Sequence, residues 1–176
     1  MRYVVVGTSG AGKSTFARKL SAAIGGPYVE LDDLHWDYNW TPRPRDRFER
    51  AVREATAGDR WVVDGNYSAV RDAFWPNATH VVWLNFSRPV VFSRVIWRTL
   101  QRALTRKQLW AGNRESFAKA FLSRDSILIW SFTTYRKNRI KYARLRASPE
   151  YLHLQWHDLR TPWQARAFLA QHRHGA

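Results

Sequence analysis

The glycine-rich stretch GTSGAGKST, residues 7–15, constrains the fold of this chain more than any other feature. It follows an apolar run, RYVVV at residues 2–6, and it opens an amphipathic segment that extends from Ser14 to Ile24. A strand, a glycine-rich turn and a helix in this order match the pattern G-x-x-x-x-G-K-[ST]. The glycines let successive backbone amides point at phosphate oxygens, beside the positive end of the helix. The stretch therefore predicts a phosphate-binding loop.

Short β-branched and aromatic runs alternate with amphipathic segments along the rest of the chain. The predicted strands are Arg2–Val6, Pro27–Leu31, Arg60–Asp64, Thr79–Asn85 and Tyr151–Trp156. The predicted helices are Ser14–Ile24, Pro44–Ala57, Val90–Leu104, Arg114–Tyr142 and Thr161–His172. The alternation predicts a three-layer α/β fold with a five-stranded parallel sheet. Because the 176 residues contain no repeat or linker, we expect one domain, residues 1–176.

The net charge of +15 is concentrated in the second half of the chain. Residues 1–86 carry 11 Lys and Arg against 10 Asp and Glu, whereas residues 87–176 carry 18 against 4. The segment RKNRIKYARLR, residues 136–146, holds six basic residues and no acidic residue. Such a segment favours polyanions, nucleic acid among them, or it is a solvated helix face.

Composition also excludes several kinds of site. The chain has no cysteine, which rules out disulfides, thiolate metal sites and cysteine nucleophiles. No segment approaches the roughly 20 apolar residues of a membrane span, and the N-terminal apolar run is too short for a signal peptide. We therefore expect a cytoplasmic protein without membrane contact.

A small chain that begins with such a loop resembles the P-loop kinases: nucleoside monophosphate, shikimate, gluconate and uridine-type nucleoside kinases. The guanine-binding string N-K-x-D and the switch string D-x-x-G of Ras-type GTPases are both absent. The resemblance implies a nucleoside monophosphate kinase-like fold with helical insertions for the acceptor and a lid, and binding of ATP with Mg²⁺. The loop residues assigned to ATP are Gly7, Ser9, Gly10, Ala11, Gly12, Lys13, Ser14 and Thr15. Lys13 would reach the β- and γ-phosphates and take part in catalysis.

The segment WVVDGNYS, residues 61–68, resembles the D-G-F-P-R segment of adenylate kinases. The match extends through Asp64 and Gly65 and then ends, so the acceptor-binding arginine of that motif is missing; Arg71 follows a little later. The resemblance implies that Asp64 and Ser14 hold Mg²⁺. The alternative for Asp64 is a turn residue at the end of a strand.

The segment VELDDLHW, residues 29–36, places two carboxylates after the second predicted strand, where ligands bind in a doubly wound sheet. It resembles the L-D-D-F-Y segment of uridine and nicotinamide riboside kinases. The resemblance implies that one carboxylate accepts the proton of the acceptor hydroxyl. Asp32 is the better candidate and Asp33 the alternative, and a helix N-cap role for one of them is the rival interpretation.

The same resemblance assigns residues 35–58 to the acceptor and residues 103–115 to a lid. Aromatic and basic side chains suit a ring and an anionic group on one acceptor. The acceptor-binding candidates, besides the two aspartates, are His35, Trp36, Arg43, Arg45, Arg47 and Arg71. The lid-type arginines that would stabilise the transferred phosphoryl group are Arg98, Arg102, Arg106 and Arg114. Arg160, after the last strand, is the candidate for stacking on adenine; each arginine could instead be a surface residue.

Over nearly its whole length the chain resembles a bacterial family of adenylate-kinase-like proteins, also called DNA topology modulation proteins. The matching segments are the loop, LDDLHW, TPRPR, DGNYS and the stretch from GNRES to SRDSI. We expect a Mg²⁺-ATP-dependent phosphotransferase acting on a hydroxyl or phosphate of a small acceptor, such as a nucleoside, nucleotide or sugar-like compound. The alternative is an ATP-binding regulator associated with nucleic acid through residues 136–146.

Overall fold

The computed structural model describes residues 1–105 and 127–173. Its strands are β1 (Arg2–Gly7), β2 (Tyr28–Glu30), β3 (Trp36–Asp37), β4 (Thr41–Pro42), β5 (Trp61–Asp64), β6 (His80–Leu84) and β7 (Gln155–Leu159). Five of them form a parallel sheet in the order β2-β5-β1-β6-β7, while β3 and β4 pair as an antiparallel hairpin. The predicted α/β class and five-stranded parallel sheet are confirmed.

Helices cover both faces of the sheet. They are α1 (Lys13–Ile24), α2 (Leu31–His35), α3 (Arg45–Ala55), α4 (Arg88–Thr105), α5 (Ile127–Ala147) and α6 (Pro162–Arg173). Short 3₁₀ segments occupy Tyr38–Trp40, Ser68–Ala73, Trp75–Asn77 and Pro149–Tyr151. None of the helices in the described ranges is long and apolar enough to cross a membrane.

The core lies on both sides of β1, because successive strand residues face opposite layers. Val4 and Val6 pack in one layer with Phe48 of α3 and Tyr142 of α5. Tyr3 and Val5 pack in the other layer with residues of α1 and α6. Burial on both faces explains why β1, β5 and β6 are apolar almost throughout. The carboxyl ends of these strands consequently form one edge, on which the loop of residues 7–12 lies.

One sequence prediction and one alternative interpretation are wrong. The last strand was expected at Tyr151–Trp156, but β7 is Gln155–Leu159. The reason is that Pro149 begins a 3₁₀ turn that buries Tyr151 against Trp75, with ring centroids 5.0 Å apart. The N-cap role for Asp32 or Asp33 is also wrong. Both aspartates lie in the first turn of α2, and Glu30 occupies the cap position.

The predicted helix Arg114–Tyr142 is described only in its second part. Residues 106–126 lie outside the described residues, and α5 continues past Tyr142 to Ala147. The predicted lid-like region, residues 103–115, therefore lies mostly outside them as well.

Candidate active site

The glycine-rich loop connects β1 to α1 in a conformation that glycine makes accessible. Gly10 has φ 82° and Gly12 has φ 89°, both in the left-handed region that favours glycine. The Ala11 amide donates to the Thr8 carbonyl oxygen at 3.2 Å. The N-cap residue of α1 is Gly12, which has no side chain. The first amides of the helix therefore receive no hydrogen bond from a capping side chain. A loop of this kind suits an anionic ligand.

Helix α4 supports this loop from the side. A Cβ atom on Gly10 would lie 2.3 Å from Val95 Cγ2 and 2.9 Å from the Val91 carbonyl oxygen. The Arg94 guanidinium donates to the Ala11 carbonyl oxygen at 3.0 Å, and Arg98 donates to the Ser9 hydroxyl at 3.1 Å. The structure therefore brings two arginines of α4 to the phosphate-binding loop.

Lys13 lies at the first position of α1 and is only partly exposed. Its ammonium group donates to the Thr8 carbonyl oxygen at 3.3 Å. Burial lowers the pKa of Lys13, and the carboxylates of Asp64 and Asp32 partly offset this effect. Lys13, Asp64 and Asp32 are thus within electrostatic reach of one another.

Asp64 ends β5 and is almost completely buried, at 2% exposure. Burial raises the pKa of its carboxyl group to about 6, against the Lys13 charge and a hydrogen bond from Ser14, which lower it. The Tyr28 hydroxyl donates to Asp64 Oδ1 at 3.3 Å. A buried carboxylate beside a serine hydroxyl supplies the oxygen ligands that Mg²⁺ prefers.

The remaining ligands of such an ion would come from phosphate oxygens and water. Within residues 1–105 and 127–173, no group of three or more His, Cys, Asp or Glu residues could hold a metal ion. Mg²⁺ typically binds through one or two carboxylates, substrate phosphates and several waters. Ser14 and Asp64 therefore fit Mg²⁺ bound together with a nucleotide.

The two aspartates of α2 have different environments. Asp32 is partly buried and accepts a hydrogen bond from the Tyr67 hydroxyl at 2.5 Å. Asp33 is exposed and makes no hydrogen bond or ion pair to another described residue. Of these two aspartates, only Asp32 has a charge that affects the pKa of Lys13. The charge of Asp32, and not that of Asp33, therefore influences the loop lysine.

Aromatic side chains surround His35 next to Asp32. Its ring centroid lies 4.6 Å from that of Tyr67, 5.0 Å from Phe48 and 4.7 Å from Trp36. Burial lowers the pKa of His35, and the Asp32 charge partly offsets this effect. Trp36 also donates a hydrogen bond to Tyr67. His35 and Trp36 therefore belong to the surroundings of Asp32.

The predicted acceptor-binding arginines have different surroundings, and among them the Arg43 amide donates to the His35 carbonyl oxygen at 2.7 Å. Arg43 forms an ion pair with Asp37 at 3.0 Å. Arg45 and Arg47 are exposed in the first turn of α3. The Arg71 guanidinium carbon lies 5.4 Å from the ring centroid of Trp75, on the side of the sheet covered by the 3₁₀ segments.

The other predicted arginines have three different outcomes. Arg160 follows β7 directly, is exposed and forms an ion pair with Asp158 at 3.1 Å. Arg102 lies on α4. Arg106 and Arg114 lie outside the described residues.

Sequence reasoning missed Asn66, Tyr67 and Tyr28. The Asn66 amide nitrogen donates to the Gly7 carbonyl oxygen at 2.8 Å, and its amide oxygen accepts from the Tyr142 hydroxyl at 2.7 Å. Asn66 therefore ties the start of the loop to α5. The available signal was the point at which DGNYS departs from D-G-F-P-R, because both Asn66 and Tyr67 lie there.

The basic segment 136–146 lies on α5, and its members differ in exposure. Lys141 turns inward and donates to the Ser68 hydroxyl at 2.8 Å. The exposed members are Arg136, Lys137, Arg139, Arg144 and Arg146. The segment is thus in part a structural contact and in part a charged helix face.

No family model matches the chain, and no curated protein is significantly similar to it. Among solved structures it is similar to shikimate kinase from Bacteroides thetaiotaomicron, with TM-score 0.51 and 16% identity over 97% of this chain and 95% of that chain. It is also similar to a gluconokinase from Sinorhizobium meliloti 1021, with TM-score 0.50 and 22% identity over 97% of this chain and 91% of that chain. At these identities the likeness shows the fold, which is the P-loop NTPase fold of both proteins.

Proposed function

We propose that the protein is a Mg²⁺-ATP-dependent phosphotransferase that phosphorylates a small acceptor. The observation that supports this most is the position of Asp32. Lys13 in the glycine-rich loop has three carboxylates within electrostatic reach: Asp64, which is buried, Glu30, which is paired with Arg18, and Asp32, which is partly buried. A second carboxylate near the loop can accept the proton of an acceptor hydroxyl during phosphoryl transfer.

Each of these groups has one role in the proposed reaction. The loop amides and Lys13 bind the β- and γ-phosphates. Ser14 and Asp64 hold Mg²⁺, which when bound neutralises charge on the phosphate oxygens. Arg94 and Arg98 reach the loop from α4 and add positive charge beside it. Asp32 accepts the proton of the acceptor hydroxyl as the phosphoryl group is transferred.

The acceptor would bind between α2 and α3, next to Asp32. The rings of His35, Trp36 and Tyr67 offer flat apolar surfaces there, which suit the ring of a nucleoside, a nucleotide or a sugar-like compound. The exposed Arg45 and Arg47 would attract an anionic group on such an acceptor.

Association with nucleic acid, and membership of the DNA topology modulation proteins, are finer proposals that rest on the sequence resemblance. Residues 136–146 offer them a charged helix face, of which Lys141 and Tyr142 are already engaged in contacts within the fold. The phosphotransferase is therefore the function that the geometry supports best.

The test is a screen of hydroxyl and phosphate acceptors with γ-labelled ATP and Mg²⁺. We expect one class of compound to gain the label, and Lys13→Ala to abolish both ATP binding and transfer. Asp32→Asn should retain ATP binding and reduce transfer about 100-fold, as expected for loss of a general base. Asp33→Asn is the matched control and should transfer phosphate normally. Normal transfer by Asp32→Asn would contradict the assigned role, and unchanged ATP affinity in Lys13→Ala would contradict the nucleotide site.

A further inference from the structure

A groove lies between the start of α4 and the middle of α5, and its lining residues are not among those assigned to the nucleotide or the acceptor. It has a volume of about 530 Å³ and is lined by Ser87, Arg88, Tyr135, Arg136, Arg139 and Ile140. Pockets for small molecules have volumes of roughly 300–1,000 Å³. The groove is thus large enough for a small ligand, and half of its lining residues are arginines.

Tyr135 forms the rigid floor of this groove. Its side chain is 4% exposed, and its hydroxyl donates to the Phe86 carbonyl oxygen at 2.9 Å, which fixes the ring between α5 and the end of β6. The guanidinium carbons of Arg88 and Arg139 lie 5.3 Å and 5.8 Å from the centroid of that ring. Cation–π contacts therefore order both guanidinium groups before any ligand binds, which reduces the entropy cost of binding.

No described acidic residue neutralises the arginines of the groove. The ion pairs within residues 1–105 and 127–173 are Arg18–Glu30, Arg43–Asp37, Arg53–Glu49 and Arg160–Asp158. The groove arginines take part in none of these pairs, and the second half of the chain has only 4 acidic residues against 18 basic ones. Three like charges around one groove repel one another unless water or an anion lies between them. The groove therefore has the charge complementarity of an anion-binding site.

We propose that this groove binds a small organic phosphate, with the phosphate group between Arg88 and Arg139 and the apolar part against Tyr135 and Ile140. Guanidinium groups match phosphate oxygens with paired hydrogen bonds, which an ammonium group does not. The aromatic floor and Ile140 favour a ligand with an apolar body over inorganic phosphate. The proposal is independent of the phosphotransferase proposal, because the groove shares no residue with that site.

The test is an NMR titration of the full-length protein with phenyl phosphate, in which backbone amide shifts locate the ligand. We expect saturable shifts at residues 87–88 and 135–140, and weaker binding of inorganic phosphate to the same residues. Replacing both Arg88→Gln and Arg139→Gln should weaken binding about tenfold or more, since each removes a hydrogen bond between charged groups. The matched control replaces Arg144→Gln and Arg146→Gln, which removes the same charge from exposed positions of α5 outside the groove and should change binding less than about twofold.

Three outcomes would overturn the proposal. They are the absence of saturable shifts in the groove at millimolar phenyl phosphate, shifts confined to residues 7–14, and equal weakening by the two double variants, which would indicate a general charge effect. Circular dichroism verifies that each variant is folded. If the groove double variant is unfolded, the single variants Arg88→Gln and Arg139→Gln decide the question, and unchanged affinity in both contradicts the proposal.

Discussion

Asp64→Asn should stabilise the protein in the absence of ligands and at the same time abolish its proposed activity. Asp64 is 2% exposed, and burial raises the pKa of its carboxyl group from the ordinary 3.8 to about 6. At 1.36 kcal/mol per pH unit, the charged form is disfavoured in the folded protein by about 3 kcal/mol. Asparagine has the same shape without the charge, and its amide oxygen can still accept the hydrogen bonds of Tyr28 and Ser14. The neutral variant therefore avoids the cost of burying the charge.

The stabilisation by Asp64→Asn should depend on pH. Because the folded-state pKa of Asp64 lies above the unfolded-state value, the folded protein holds the proton more tightly. Stability from this group is complete below pH 3.8 and is lost as the pH rises through about 6. Relative to wild type, the free energy of unfolding of Asp64→Asn should be higher by about 3 kcal/mol near pH 7, and by less than about 1 kcal/mol near pH 4.

Urea unfolding followed by tryptophan fluorescence measures this difference, with EDTA present and without nucleotide. The matched control is Asp72→Asn, because Asp72 is exposed and its replacement should change the free energy of unfolding by less than about 0.5 kcal/mol at both pH values. The reasoning is refuted if Asp64→Asn is less stable than wild type near neutral pH, or if its gain does not depend on pH. With Mg²⁺-ATP and acceptor, the same variant should lose phosphoryl transfer, since the proposed metal ligand is gone.

Three further predictions test other parts of the structure. Tyr67→Phe removes the hydroxyl that donates to Asp32, and steady-state kinetics should show kcat for the acceptor reduced about tenfold at unchanged ATP affinity, whereas unchanged kcat would show that this hydrogen bond is not needed. Gly10→Ala should weaken ATP binding in calorimetry by about tenfold or more, because its Cβ clashes with α4 at a positive φ, while Gly58→Ala, with no atom within 4 Å, should bind normally. Burial, helped by neighbouring histidines, lowers the pKa of His157 from 6.5 to about 4, so stability is lost as the pH falls below 6.5. Between about pH 7.5 and about pH 5, urea unfolding should show wild type losing about 2 kcal/mol relative to His157→Gln, because the titration of Asp64 contributes equally to both proteins and cancels in the difference.

The sequence predicts the fold well where strands are buried on both faces. Val4, Val63 and Val82 lie at 0% exposure in three adjacent strands, and a continuous apolar run is the direct result. The prediction fails at β7, which pairs only with β6 and lies at the edge of the sheet. Its sequence QWHDL contains polar residues that an edge strand tolerates, so the more apolar stretch before it was preferred.

For the candidate active site too, local sequence features could be predicted, whereas contacts between distant parts of the sequence could not. Lys13, Ser14 and Asp64 are predictable because each occupies a fixed position relative to one strand or one turn. Other contacts in and around the site cannot be predicted in this way. Tyr67 meets Asp32 across 35 positions, and Asn66 meets Tyr142 across 76. Such pairs depend on how α2, α5 and the segment after β5 pack, and no periodicity in the sequence reports that packing.

The hairpin of β3 and β4 was missed for a conformational reason. Asn39 and Trp40 both have positive φ, at 56° and 55°, and a bulky residue rarely adopts this conformation. Trp40 is held there beside Trp36, with ring centroids 5.6 Å apart. A sequence pattern that places glycine at such positions would have predicted the turn, whereas tryptophan does not.

The electrostatics of the candidate active site are consistent with a site that is completed by its ligands. Burial acts on the two central groups in opposite directions, raising the pKa of Asp64 and lowering that of Lys13, so each charged form is disfavoured. Their mutual attraction offsets only part of this cost. A divalent cation would stabilise the charged carboxylate, and phosphate oxygens would stabilise the charged ammonium group. Mg²⁺ and nucleotide should consequently stabilise wild type more when bound together than either does alone, and this excess should vanish in Asp64→Asn.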